Sequence, residues 1–145
     1  QKEYILLKKN KINLSFINYK NKIKAEKKIL VDLKKNNVEL ICLAGFMKIL
    51  SKNFIKNFNG KILNIHPSLL PKYKGLNTHQ RALENKEQYA GCTVHFVNSK
   101  LDSGKIIMQK KVRILKKDTP KNLAKKVLAE EHKLYPKAIL KLFSL

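Results

Sequence analysis

Asn64 and His66 stand two residues apart at the end of the segment KILNIH (Lys61–His66), just before a turn that holds Pro67 and Pro71. Side chains two apart on a strand point to the same face. An Asn amide beside a protonated imidazole offers two donors, which suits an oxyanion forming on a carbonyl carbon under attack. A carboxylate next to an imidazole favours its charged, proton-donating form. Asp102, in the polar loop NSKLDSG at 98–104, is the candidate for that carboxylate. No Ser or Cys nucleophile is needed if the attacking group arrives with the substrate. The plain alternative is that Asn64 and His66 only end a strand and cap a turn, and periodicity by itself favours that alternative.

Glu131 is a second signal. It falls four residues from Val127 and from Tyr135, on a helical stripe with Ala124, Leu128 and Leu134. A carboxylate on an apolar stripe either has a partner or binds something. The other histidines say less. His95 alternates with Thr93 and Val97, so it either lines the same crevice or packs inside. His79 follows a helix cap and reads as structural, and His132 reads as exposed. The histidine spacing is not that of a metal site, so no metal ligand is assigned. Ser68 lacks a G-x-S-x-G context and reads as a turn residue.

These groups need elements to hold them. Short strands are expected at 4–7 and 12–16, then a helix over 22–36 with Ile23, Ile29, Leu30 and Leu33 as its apolar stripe. The run VELICLAG at 38–45 has the pattern of a strand buried on both faces. Ser51 caps a short helix to Phe58, and Asn59-Gly60 turns the chain into Lys61–His66. A helix capped by Thr78 follows over 78–86, then a β-branched strand at 91–97 and a Lys-rich strand near an edge at 105–114. The last helix has an Asp118 cap, Pro120 in its first turn, and Pro136 to kink or interrupt it. Strands alternating with helices predict an α/β fold with a sheet parallel at least in part.

The 145 residues suit one domain, and 43% hydrophobic residues suit a packed core. The longest apolar run, 40–47, is far below the roughly 18 residues of a membrane span. Cys42 and Cys92 sit in strand-like runs and read as buried small hydrophobes, in keeping with a reducing cytoplasm. The net charge of +22 is almost all Lys; only Arg81 and Arg113 are Arg. Lys spread along the whole chain reads as a solvated surface rather than a specific nucleic-acid footprint, although weak, salt-sensitive binding to polyanions is expected.

Four ordered segments carry a resemblance: LAGFMKIL (43–50), NIHPSLLPKYKGLNTHQRALEN (64–85), GCTVHFV (91–97) and LDSGKII (101–107). With them the chain resembles the folate-dependent formyltransferases, most closely the branch that formylates glycinamide ribonucleotide in purine (IMP) biosynthesis. The resemblance implies a Rossmann-like formyltransferase fold with a mostly parallel central sheet flanked by helices. It implies transfer of a formyl group from 10-formyltetrahydrofolate, as co-substrate, to the amine of glycinamide ribonucleotide. Asn64, His66 and Asp102 would be catalytic, with His66 as proton donor. Met47, Lys48, Ile49 and Leu50 would border the pterin, largely through backbone groups, and Asn98, Ser99, Lys100, Leu101 and Asp102 would form the folate loop. Lys22 would be a further folate contact. Leu128, Ala129, Glu130 and Glu131 would meet the ribonucleotide. A cis Leu70–Pro71 bond is also expected from the family pattern.

The family opens with a strand, a Gly-rich loop and a helix that hold the substrate phosphate. None of the five glycines here forms such a loop. The expectation is a single formyltransferase domain over 1–145 that lacks its first βαβ portion, with weak or no activity by itself. Rival readings are a methionyl-tRNA formyltransferase, a formyltetrahydrofolate hydrolase, or a non-catalytic Lys-rich nucleic-acid binder. Against the first, KGLNTHQRAL follows the proline turn where that branch tends to continue R-G-A-A-P. Against the last, there is no clustered Arg and aromatic patch.

Overall fold

The computed structural model describes residues 12–143, and the chain separates into two compact units, Gln1–Asn37 and Val38–Leu145. In the first unit, α1 (Lys22–Lys35) starts where the Asn21 side chain accepts the Lys24 N–H at 3.0 Å. It ends where the Asn36 side chain donates to the Asp32 carbonyl at 2.7 Å. Lys34 and Lys35 occupy its last turn, where the helix dipole favours cations. Ile23, expected on the apolar stripe, is exposed. Residues 12–16 form irregular backbone rather than the expected strand. Ile12, Leu14 and Phe16 are exposed there, so strand pairing would bury little. The strand expected at 4–7 lies outside the described residues.

The second unit runs β1 (Leu40–Leu43), α2 (Lys52–Asn57), β2 (Lys61–His66), α3 (Thr78–Glu84), β3 (Tyr89–Phe96), β4 (Ile106–Arg113) and α4 (Pro120–Phe143). The strands pair in the order β1-β2-β3-β4. β1 and β2 are parallel, with Leu43 beside Asn64. β2–β3 and β3–β4 are antiparallel. The described sheet is therefore mixed, which corrects the expectation of a mostly parallel one. A parallel crossover must carry the chain back along the strand. The β2–β3 connection stays instead at the carboxyl end of β2, and α3, at seven residues, rises only about 10 Å.

α4 lays Leu123, Val127, Leu134 and Ala138 on Ile65, Ala90, Cys92 and Val94. The helical spacings of four and seven put one apolar stripe against the sheet. Cys92 is fully buried, and burial pushes its thiol up to about 12. Cys42 is exposed, contrary to expectation, and β1 is half-buried rather than covered on both faces, because β1 is an edge of the described sheet.

Three local expectations shift. Asn77, with φ 57°, holds the cap position of α3, and Thr78 is its first residue. Thr119 caps α4 by accepting the Asn122 N–H at 3.2 Å, while Asp118 accepts from Leu115 N and holds Lys126 at 2.7 Å. α4 continues through Pro136. His132 and Pro136 are both exposed, so the helix position that loses its backbone hydrogen bond lies on the solvent side of the helix. The Ser51 cap is as expected, accepting Phe54 N at 3.0 Å.

Candidate active site

β2 delivers Asn64 and His66 to one face at its carboxyl end, and the β2–β3 register sets His95 directly opposite Asn64. The turn that follows is pinned from below. The buried Thr93 hydroxyl donates to Ser68 O at 2.6 Å and accepts from Leu70 N and Gln109 Nε2. Gln109 also donates to Leu70 O at 2.8 Å. The Leu70–Pro71 bond is cis, as expected. Each buried polar group in this knot is satisfied, which fixes where the loop leaves the sheet.

The loop then returns over His66. His66 is 6% exposed, and its Nε2–H donates to Tyr73 O at 2.9 Å. That assigns the tautomer and turns Nδ1 toward Asp102, whose Oδ2 lies 3.4 Å away. This separation is long for a direct hydrogen bond, so Nδ1 has room for a third partner. Asp102 is itself held: Gly75 N–H donates to its Oδ2 at 2.8 Å. Gly75 has φ 76°, a conformation glycine adopts without a Cβ penalty. On its other side, Asp102 Oδ1 lies 3.7 Å from His95 Nε2.

His95 has both nitrogens committed. Nδ1–H donates to Phe96 O at 2.8 Å, so Nε2 is the acceptor facing the Asn64 amide nitrogen at 3.4 Å. Burial holds the His95 imidazole below the usual histidine range, which keeps it neutral and preserves that acceptor. Asn64 Nδ2 thus spends one N–H on His95 and keeps the other.

A cavity of about 630 Å³ opens over these groups, with walls that include Met47, His66, Leu76, Asp102 and Glu131. A narrower recess of about 70 Å³, sharing Asn64 and Asp102, is lined by Leu50, Asn98 and Lys100. Phe46, Lys48, Ile49 and Leu101 border both. Residues from 46–49 and from 98–102 other than Ser99 thereby line the cavity and its recess. Of the sequence candidates, Ser99 is exposed and does not line either space. Lys22 lies in the first unit, 4.0 Å from Glu26. Among 128–131 only Glu131 borders the cavity. Leu128 and Ala129 are exposed, and Glu130 binds Lys133 at 2.8 Å. One face of a helix shows about one residue in four, so four consecutive residues cannot share it. Burial raises the Glu131 carboxyl above the usual carboxylate range, opposed in part by His132 and His66.

Two contributors were invisible in the sequence, because both act through the backbone: Tyr73 O and Gly75 N–H. A third, His79, reads as structural from sequence, yet it lines the cavity, and its buried Nδ1 has no hydrogen-bond partner. Burial, with the His66 charge, holds it below the usual histidine range.

Residues 3–139 match the model of a family described as formyl transferase. The chain is 47% identical over 122 residues to a phosphoribosylglycinamide formyltransferase of Haemophilus influenzae, covering 84% of this chain and 58% of that one. It is 46% identical over 121 residues to the human trifunctional purine biosynthetic protein adenosine-3, covering 83% of this chain and 12% of that one. Among solved structures, a phosphoribosylglycinamide formyltransferase from Bacillus halodurans superposes with a TM-score of 0.88 at 33% identity, covering 95% of this chain and 73% of that one. One from Brucella melitensis gives 0.79 at 49% identity, covering 85% and 63%. The chain spans about half the length of the curated single-function relatives it matches.

Proposed function

The chain belongs to the formyl transferase family, and on that premise we propose that it carries the reacting centre of an enzyme moving a formyl group from 10-formyltetrahydrofolate to the amine of glycinamide ribonucleotide in purine biosynthesis. The observation that carries this reading is the convergence of Asn64, His66 and Asp102 on one cavity wall, with Glu131 also on the cavity.

The amine attacks the formyl carbon, and the carbonyl oxygen takes the negative charge. The remaining Asn64 N–H and a protonated His66 are the donors for that oxygen, already oriented by His95 and Tyr73. His66 then gives a proton toward the departing folate nitrogen. Asp102, 3.4 Å from Nδ1, is placed to pass the amine's proton on through water. The folate lies between residues 46–50 and 98–102, a fit supported by residues of both segments lining the cavity and its recess. Glu131 is the group for the ribonucleotide, where a hydroxyl or amine would satisfy its half-buried carboxyl.

The test is a formyl-transfer assay with three acceptors: glycinamide ribonucleotide, charged methionyl-tRNA, and water, read as formate release. Glycinamide ribonucleotide is expected to be the preferred acceptor, with weak transfer by this chain alone, and Asp102→Asn should lower that transfer by about 10²-fold or more, the scale of losing one group aimed at developing charge. Near-normal turnover in that variant would sink the proton route. Transfer to tRNA, or formate release alone, would replace the acceptor.

A further inference from the structure

Between Tyr73 and Asn77, every second residue has positive φ: Tyr73 56°, Gly75 76° and Asn77 57°. Two of the three are not glycine, so the loop is strained and persists only where its surroundings over-determine it. The strained loop supplies Tyr73 O to His66 and Gly75 N–H to Asp102. The carbonyls between the strained residues, Lys74 O and Leu76 O, both accept from Arg81 Nη1, at 2.8 and 3.3 Å. The same guanidinium stacks on the Tyr73 ring, 5.1 Å from its centroid. From the other side Tyr73 donates to Glu87 at 2.8 Å, and Lys72 holds that carboxylate at 2.7 Å.

We propose that Arg81 is a positioning residue for the His66–Asp102 pair: its guanidinium clamps the strained 73–77 loop in the one conformation that presents Tyr73 O and Gly75 N–H to them. Arg81 touches neither side chain of the pair and acts only through the loop. The chain uses Lys at almost every basic position, with Arg only at 81 and 113. At 81 the difference is chemical. A planar guanidinium meets two carbonyls with its edge while its face lies on an aromatic ring, and a Lys ammonium cannot do both.

The effect on turnover rests on the formyl-transfer reading; the effect on the loop does not. The loop is tested without substrate, by long-range proton–nitrogen NMR of the full chain labelled at His and Arg. In the unmutated chain, a resolved, slowly exchanging Arg81 guanidinium and a hydrogen-bonded Nε2–H on His66 are expected. A freely rotating Arg81 would overturn the clamp. Arg81→Lys keeps the charge and the helix. It should erase the protected His66 Nε2–H signal and lower kcat about tenfold, with KM for the folate within about twofold. A His66 signal unchanged in the Lys variant overturns the proposal. Loss of that signal without any formyl transfer, even in the unmutated chain, leaves the clamp standing and removes the functional reading instead.

Discussion

His95 works because its two nitrogens do different jobs. Asn mimics the Nδ1 side of a histidine and Gln the Nε2 side, so the two can be separated. His95→Asn retains a donor for Phe96 O but removes the acceptor that orients Asn64. Turnover should fall about tenfold, or about 1.4 kcal/mol of barrier, and His95→Gln should recover part of it. Equal losses in both variants would show that the Asn64 contact is idle. Glu131 allows a second test. Burial raises its carboxyl, so the folded chain keeps a proton that the unfolded chain releases above roughly pH 4.3. The folded state then binds more protons, and stability falls as pH rises through that window. Glu131→Gln is uncharged at every pH. It should match the parent near pH 4 in urea unfolding and exceed it at neutral pH; a difference constant with pH would refute the cause given. Residue types at strand ends and on helical stripes are local properties, so Asn64, His66 and Glu131 could be singled out as candidates from sequence, while Asp102 entered as the carboxylate of a polar loop. The Tyr73 and Gly75 contacts were not, because a backbone N–H or C=O has no letter of its own.

The site is assembled from loops, and the loops hold each other. Gly75 reaches Asp102, and Lys74 reaches Ser103 at 2.6 Å, so the β2–β3 and β3–β4 connections close as one unit. The second connection depends on Gly104. A Cβ there would overlap the Phe96 carbonyl oxygen, a backbone atom with little freedom to move. Gly104→Ala should therefore cost about 1–3 kcal/mol in urea unfolding and displace Asp102, lowering activity as well. Stability within error of the parent would mean the loop adapts. Long, strongly patterned elements were legible before folding: α1, α4, β2, β3 and the edge strand β4 all form close to where the pattern put them. Strand direction was not legible. The alternation of strands and helices suggests crossovers, but whether a connection returns along the sheet depends on α3 being too short to carry it, which the alternation does not encode. The strand expected at 12–16 failed for a related reason. Alternating apolar letters make a strand only where a partner and a buried face await them.

At the scale of the whole molecule the dominant property is a net charge of +22. Its summed field extends over the surface, Lys48 borders both the cavity and the recess, and Lys100 lines the recess. Both proposed substrates are anions, one through carboxylates and one through phosphate. Such a field raises the encounter rate of an anion by about 10–10³ and loses its reach as salt shortens the screening length, from about 10 Å at 0.1 M to about 3 Å at 1 M. The association rate of a folate, followed by stopped-flow fluorescence, should fall at least tenfold between about 10 mM and about 0.5 M NaCl, with the dissociation rate changing less. Single charges carry little of a summed field, so Lys100→Gln should lower the low-salt rate only slightly if steering is global. If local pairing dominates, that one variant should remove most of the salt dependence. A rate flat with salt would assign the lysines to solubility alone. A nucleic acid supplies the matching contrast. Binding driven only by phosphates collapses at high salt for every sequence alike, whereas folate held between residues 46–50 and 98–102 should arrive more slowly at high salt but still stay.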